Sequence, residues 1–266
     1  MFSIKGKREE CEMVRLLLCG CAGKMGAAVR SFVNEREDCQ ITAGVDIFGG
    51  DLEFPVYKNI AEVTESVDVV VDFSHPSALF PILDYCRAHP GTAAVLCTTG
   101  YTPEQTEEVK SAAQELPVFY SRNMSLGINL LMELAKKAEA VLGVDFDVEI
   151  VEAHHNQKID APSGTALMLA DAVNEVRGNN MKYTYDRHSQ RKKRERSQLG
   201  IHSIRGGTIV GEHQVIFAGR HEVISLSHSA QSKELFAAGA VNAAVFMAGR
   251  KAGLYDMSHL IEDKKD

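Results

Sequence analysis

The amino-acid sequence predicts an α/β chain, with a parallel sheet flanked by helices in its first half and an α+β domain with a mixed/antiparallel sheet in its second. Three observations carry this expectation. Short apolar runs alternate with helical patterns from residue 14 to 121, a glycine turn joins the first run to the first helical pattern, and from residue 146 strand patterns follow one another through glycine-containing turns.

The first run, VRLLLC at 14–19, reads as a strand buried on both faces. Gly20, Gly23 and Gly26 follow, and Met25, Val29, Phe32 and Val33 then recur at helical spacing. Residues 40–46, 67–74, 92–97 and 117–121 supply four further strands. Helices are expected near 77–88 and from Thr102-Pro103-Glu104, where a proline at the first helical position favours a start. Ligands of such Rossmann-like sheets bind beyond the carboxyl ends of the strands, so loops 20–26, 72–76 and 97–100 are the candidate edge.

In the second half a helix is predicted at 125–142, a strand at 146–154 and a helix from Gly164. Strands at 201–205, 208–217 and 222–229 follow, whose close spacing predicts antiparallel pairing, then an Ala/Gly-rich helix over 232–249. No internal repeat is present.

The chain has 266 residues, 45% apolar and 24% charged, enough to bury a core without disulfides or a structural metal. Its formal charge of −7 disfavours a nucleic-acid backbone or an anionic membrane as partner. Six cysteines, at 11, 19, 21, 39, 86 and 97, form no CxxC pair and no zinc-type spacing, which reads as a reduced, cytoplasmic protein with no metal. Residues 1–13 mix charges where a signal peptide needs an apolar run, and no segment approaches the length of a membrane span. Residues 178–200 are polar and basic, with five Lys/Arg among residues 191–196. The reading there is a solvated loop, with a nucleotide or partner contact as the alternative.

Two constellations carry chemistry. The glycine turn lets the backbone approach a pyrophosphate at a positive helix end, and Asp46, closing the second strand, is placed to accept hydrogen bonds from ribose hydroxyls. The spacing is G-x-x-G-x-x-G, so a purely structural turn is the alternative. No arginine follows Asp46, which makes NADH use plausible, while Lys24 or Lys58 could still serve a phosphate.

The second constellation runs from Glu152 to Ala166. His154, His155 and Lys158 can exchange protons or hold an anion, and Ser163 is a good N-cap that frees the Gly164 and Thr165 amides at a helix start. Together they suit a carboxylate substrate. The bland alternatives are that one histidine is core and the other solvent, that Asp160 only ties down Lys158, and that Pro162-Ser163 is only a cap.

These residues resemble the 4-hydroxy-tetrahydrodipicolinate reductase (dihydrodipicolinate reductase) family. The resemblance rests on the glycine turn at 20–26, VDFSHP at 71–76, TTG at 98–100, NMSLG at 123–127, EAHHNQKIDAPSGTA at 152–166, IRGGTIVGEH at 204–213 and GLYDM at 253–257. It implies reduction of a hydroxylated tetrahydrodipicolinate by NADH and/or NADPH in lysine and diaminopimelate biosynthesis. It further implies His154 as acid/base, Lys158 as proton donor and substrate holder, and His155, Ser163, Gly164 and Thr165 as substrate-binding. The implied cofactor contacts are Gly20, Cys21, Ala22, Gly23, Lys24, Met25, Asp46, Cys97, Thr98, Thr99, Arg122, Asn123, Met124 and Ser125.

The expected organisation is an N-terminal extension at 1–13, a dinucleotide-binding domain at 14–126, a substrate-binding and oligomerisation domain at 127–233, and a segment at 234–266 packing back on the first domain. The partner expected is a small dicarboxylate, with no nucleic acid and no membrane, in a homotetramer. Hinges are expected near Ser125–Gly127 and Lys233. Two departures from the family pattern are Cys97, where glycine is usual and which invites oxidation, and Lys233, where arginine is common. The alternatives are a dehydrogenase of another carboxylate, of aspartate or homoserine type, or a dinucleotide sensor without turnover.

Overall fold

The computed structural model describes residues 13–263, so the expected extension at 1–13 lies outside the described residues except for Met13, as does Cys11. The chain forms two compact units. One runs to Met124 and resumes at Phe236, and the other is Ser125–Leu235.

The first unit opens with β1 (Val14–Cys19), α1 (Lys24–Val33), β2 (Cys39–Val45), a short β3 (Val56–Tyr57) and β4 (Val69–Asp72). It continues through α2 (Leu79–Ala88), β5 (Ala93–Leu96), α3 (Pro103–Ala112) and β6 (Pro117–Tyr120). All pairings are parallel, and β1 lies between β2 and β4. Strand order reverses on either side of β1, which opens a crevice beyond its carboxyl end. Leu16, Leu17 and Leu18 are fully buried, as a strand covered on both faces requires. Thr102 caps α3 in a reciprocal box with Gln105, with Pro103 in the first turn.

The second unit contains α4 (Leu126–Leu142), β7 (Asp147–His154), α5 (Gly164–Val176), β8 (Lys182–Thr184), β9 (Gln198–Arg205), β10 (Gly211–Ala218) and β11 (Val223–Ala230). Its sheet has the order β11-β10-β7-β9-β8. The expected antiparallel pairing holds for β10 with β11 and with β7, but β9 pairs parallel with β7 and with β8. α5 returns the chain from β7 to a parallel β8, and the tract after β8 returns it once more to the start of β9, so all three strands run the same way. The turn after β9 then carries the chain past β7, so β9 and β10 flank it and do not form a hairpin. Strand β8 falls inside the tract that reads as loop.

One face of this sheet packs Val148, Ile150, Leu199, Val215 and Phe217 against Ile128 and Leu131 of α4 and Leu169 and Val173 of α5. The other face is open, with Val223 and Ile204 exposed.

The chain then returns through α6 (Glu234–Met247), β12 (Gly253–Tyr255) and α7 (Met257–Asp263). β12 pairs parallel with β6 and completes a seven-stranded sheet ordered β12-β6-β5-β4-β1-β2-β3. Sequence patterning does not reveal β3 or β12, both too short to show alternation. Among the described residues no helix is long and apolar enough to cross a membrane.

Candidate active site

Beyond the carboxyl ends of β1 and β2 lies a cavity of about 1010 Å³, lined by Gly20, Ala22, Gly23, Asp46, Lys58 and the 73–78 loop. Its floor is the glycine turn. Gly20 has φ of +76°, and a β-carbon there would lie 2.6 Å from the Phe73 carbonyl oxygen. A β-carbon at Gly26 would lie 2.3 Å from the Gly20 carbonyl oxygen, so glycine lets α1 meet the turn at this distance. No acidic residue occupies the first turn of α1, which leaves its positive end for an anion. The Asp46 carboxylate accepts the amides of Ala22 and Phe48, each at 3.1 Å, and so sits at the cavity rim. Exposed Ile47 and Phe48 extend that rim as an apolar ledge. Gly20, Ala22, Gly23 and Asp46 therefore come together at one cavity, and Lys58 joins them. The Cys21 side chain is instead buried beside Gly44, and Lys24 is not among the lining residues.

At the same sheet edge, buried Asp72 accepts the amide and hydroxyl of Ser74 and, at 3.3 Å, the hydroxyl of Tyr101. Burial raises its carboxyl above the ordinary range despite these donors. Cys97 lies next to it, and burial followed by the Asp72 charge pushes its thiol well up. A thiol held protonated is a poor nucleophile, which works against the oxidation liability read from the sequence. Thr98 is buried, Thr99 and Arg122 are exposed, and Met124 is buried.

In the second unit, the sheet face that is apolar over most of β7 becomes ionisable at its end. Glu152 and His154 share that face by strand alternation, and β7 stops at His154. Across the sheet Glu152 is in register with His213 of β10 and Ser203 of β9, and His213 with His228 of β11. The His154 Nδ1 lies 2.5 Å from Oε2 of Glu152, whose side chain is fully buried. Arg205 binds the same carboxylate through both terminal nitrogens, at 2.7 and 2.8 Å, and the Ser163 amide donates to it at 3.1 Å. Burial alone would raise the Glu152 carboxyl, but Arg205, Ser203, His154 and the Ser163 amide together hold it at about 2.

Ser163 caps α5, its hydroxyl accepting the Ala166 amide at 3.1 Å. The first turn of α5 carries no acidic residue, and Gly164 is exposed, with nothing within 4 Å of where a β-carbon would stand. His155 follows the strand end, and its carbonyl accepts the Lys158 amide at 3.1 Å. The Lys158 ammonium lies 2.9 Å from the Asp160 carboxylate, so the loop tie weighed as an alternative exists. His154 and His213 meet edge to face at 5.2 Å. Burial, then the charge on His154, pushes His213 down to about 4.

His154, Ser163 and Gly164 thus surround the start of α5, with His155 and Lys158 on the loop that joins it to β7. Sequence reasoning opened this constellation at Glu152 but gave it no role, although period-two alternation pairs it with His154, and it did not bring Arg205 or His213 to the cluster. In the basic tract Arg191, Lys192, Lys193 and Arg196 are exposed, and Arg187 and Arg194 tie it to the sheet. Arg194 bonds Asp147 at 2.6 Å, Glu149 at 2.9 Å and the carbonyls of Val148 and Gln198, and Arg187 bonds Glu149 at 2.7 Å. Among the described residues no group of three or more His, Cys, Asp or Glu could hold a metal ion.

Residues 14–124 match the family described as dihydrodipicolinate reductase, N-terminus, and residues 127–261 its C-terminus. The chain is 50% identical over 250 residues to the 4-hydroxy-tetrahydrodipicolinate reductase of Caldanaerobacter subterraneus subsp. tengcongensis, covering 94% of this chain and 99% of that one. It is 46% identical to the enzyme of the same name from Clostridium novyi, covering 95% and 100%. Among solved structures it is similar to a dipicolinate-bound dihydrodipicolinate reductase from Paenisporosarcina sp. TG-14, with a TM-score of 0.77 and 28% identity over 92% of this chain and 97% of that one. The chain belongs to the dihydrodipicolinate reductase family and is an NAD(P)H-dependent oxidoreductase.

Proposed function

We propose that this chain reduces 4-hydroxy-tetrahydrodipicolinate to tetrahydrodipicolinate in lysine and diaminopimelate biosynthesis. The observation that carries the reading is the meeting of a buried carboxylate-bound imidazole, His154, with the N-terminus of α5.

The glycine turn, the α1 N-terminus and Asp46 suit the pyrophosphate and ribose of a dinucleotide, because glycine at 20 and 26 lets the turn pack directly beneath α1, whose first turn carries no acidic residue, and Asp46 stands at the rim of the same cavity. When bound, the reduced nicotinamide supplies a hydride. The site's own residues do the rest. The exposed start of α5, with Gly164, Thr165 and the Ser163 cap, holds one substrate carboxylate, and His155 and Lys158 add positive charge for the second. Hydride arrival and loss of the hydroxyl as water consume one proton overall, and the proposal assigns its delivery to His154 and Lys158. Asp46 favours a free ribose hydroxyl, which points to NADH as the better cofactor, while Lys58 at the same cavity leaves room for NADPH.

We extend the proposal to a homotetramer assembled through the open face of the second sheet. Exposed Val223 and Ile204 on that face support it.

The test is loss of reduced-nicotinamide absorbance when the preceding synthase, with pyruvate and aspartate semialdehyde, supplies fresh substrate. Consumption above the synthase-only blank is expected. Binding of NADH without consumption would leave a sensor, and consumption with aspartate semialdehyde alone would indicate a different dehydrogenase.

A further inference from the structure

Glu152 is bound more fully than charge balance requires. Arg205 alone would neutralise it, yet the carboxylate also takes the His154 Nδ1 at 2.5 Å and the Ser163 amide at 3.1 Å. One fully buried side chain therefore joins three elements: the imidazole ending β7, the residue capping α5, and Arg205 at the end of β9. The opposite nitrogen of the same ring looks toward Gly211, where a β-carbon would stand only 3.2 Å from His154 Nε2. Glycine at 211 keeps that nitrogen uncrowded.

We infer that Glu152 is a positioning residue, holding His154 with its proton on Nδ1 so that Nε2 exchanges the proton with substrate, and setting the α5 N-cap in place beside it. The inference rests on the acid/base reading of His154. An ionised carboxylate accepts but does not donate, so the nitrogen facing it carries hydrogen. When the protonated ring gives its Nε2 proton to the substrate, it becomes neutral with Nδ1–H retained, and a proton from solvent restores it. Glu152 stays ionised throughout, balanced by Arg205. Among the described residues, the charged and titratable groups that face this ring are Glu152 on its own strand, Arg205 on β9 and His213 on β10, which is uncharged near neutral pH, with Lys158 of the following loop and His228 of β11 acting on His213.

The experiment compares Glu152→Gln and Glu152→Asp with the native enzyme. Glutamine keeps the shape, and with its oxygen on the Ser163 amide it presents N–H to Nδ1, which reverses the tautomer. Glu152→Gln is expected to lower kcat by about 10²–10³-fold, within the range for losing a positioned acid/base or its orienting carboxylate. The acid-side maximum of kcat should move to lower pH, and Glu152→Asp should recover part of both effects. An unchanged pH profile with only a lower Tm would overturn the inference. Histidine ¹⁵N NMR of the native enzyme, with His154→Gln to assign the signal, gives a readout that needs no Glu152 variant. A Nδ1–H tautomer is expected, and a Nε2–H tautomer would overturn the inference whether or not the variants fold. Full kcat in His154→Gln would instead sink the acid/base reading, a separate result from the tautomer.

Discussion

The Ser163 hydroxyl stands 3.1 Å from Nε2 of His213 while accepting the Ala166 amide at the same distance. The hydroxyl keeps one proton and one lone pair for His213, so an uncharged ring is satisfied at Nε2 in either tautomer.

A pH dependence of stability follows. The His213 ring is held at about 4, below its ordinary value of 6.5. As pH falls through 6.5 the unfolded chain takes up a proton that the folded chain refuses until about 4, so acid favours unfolding across that window. The loss from this residue reaches about 3 kcal/mol at its lower end. Urea midpoints measured between those pH values should fall with acidity, and His213→Gln should flatten the slope; an equal slope in the variant would refute the assignment.

Gly26→Ala should harm both fold and cofactor binding. The added carbon meets backbone oxygens of Gly20 and Cys21 at 2.3 and 2.6 Å, and backbone cannot swing aside as a side chain can. A loss of about 1–3 kcal/mol is expected, with weaker NADH binding by fluorescence titration. Unaltered NADH affinity would mean that the turn is only structural.

Asp46→Ala should weaken NADH by about tenfold or more, the worth of a hydrogen bond to a charged group. NADPH should suffer less, because removing the carboxylate also removes repulsion of a ribose phosphate. Dissociation constants for both cofactors decide it, and equal weakening would argue against the ribose contact.

Arg194→Met should destabilise the second unit by about 1–3 kcal/mol, since it removes the guanidinium shared by Asp147, Glu149 and the carbonyls of Val148 and Gln198, while Arg187 stays on Glu149. Arg191→Ala, on the exposed side of the same tract, should stay within about 0.5 kcal/mol. Thermal unfolding of the two variants checks this, and similar midpoints would show that Arg194 does not anchor the tract.

The sequence made the strand-turn-helix at 14–33 and the end of β7 legible because both rest on local chemistry: glycine where backbone crowds backbone, serine where a helix begins. Glu152 alternates with His154, but its partner Arg205 lies 53 positions away and arrives only through the β7–β9 register. Spacing rules for hairpins mislead at β9 because β7, about 50 positions earlier in the chain, inserts between β9 and β10 in the sheet. Short β3 and β12 carry too few residues for a pattern, and only their neighbours in the sheet define them.

Strand β12 has a consequence for synthesis. A ribosome makes β6 early and β12 last, with the whole second unit translated between them. A nascent chain halted before Gly253 can close the later sheet yet leaves the Val118–Phe119 backbone edge bare. Truncation there should yield aggregation through that unpaired edge.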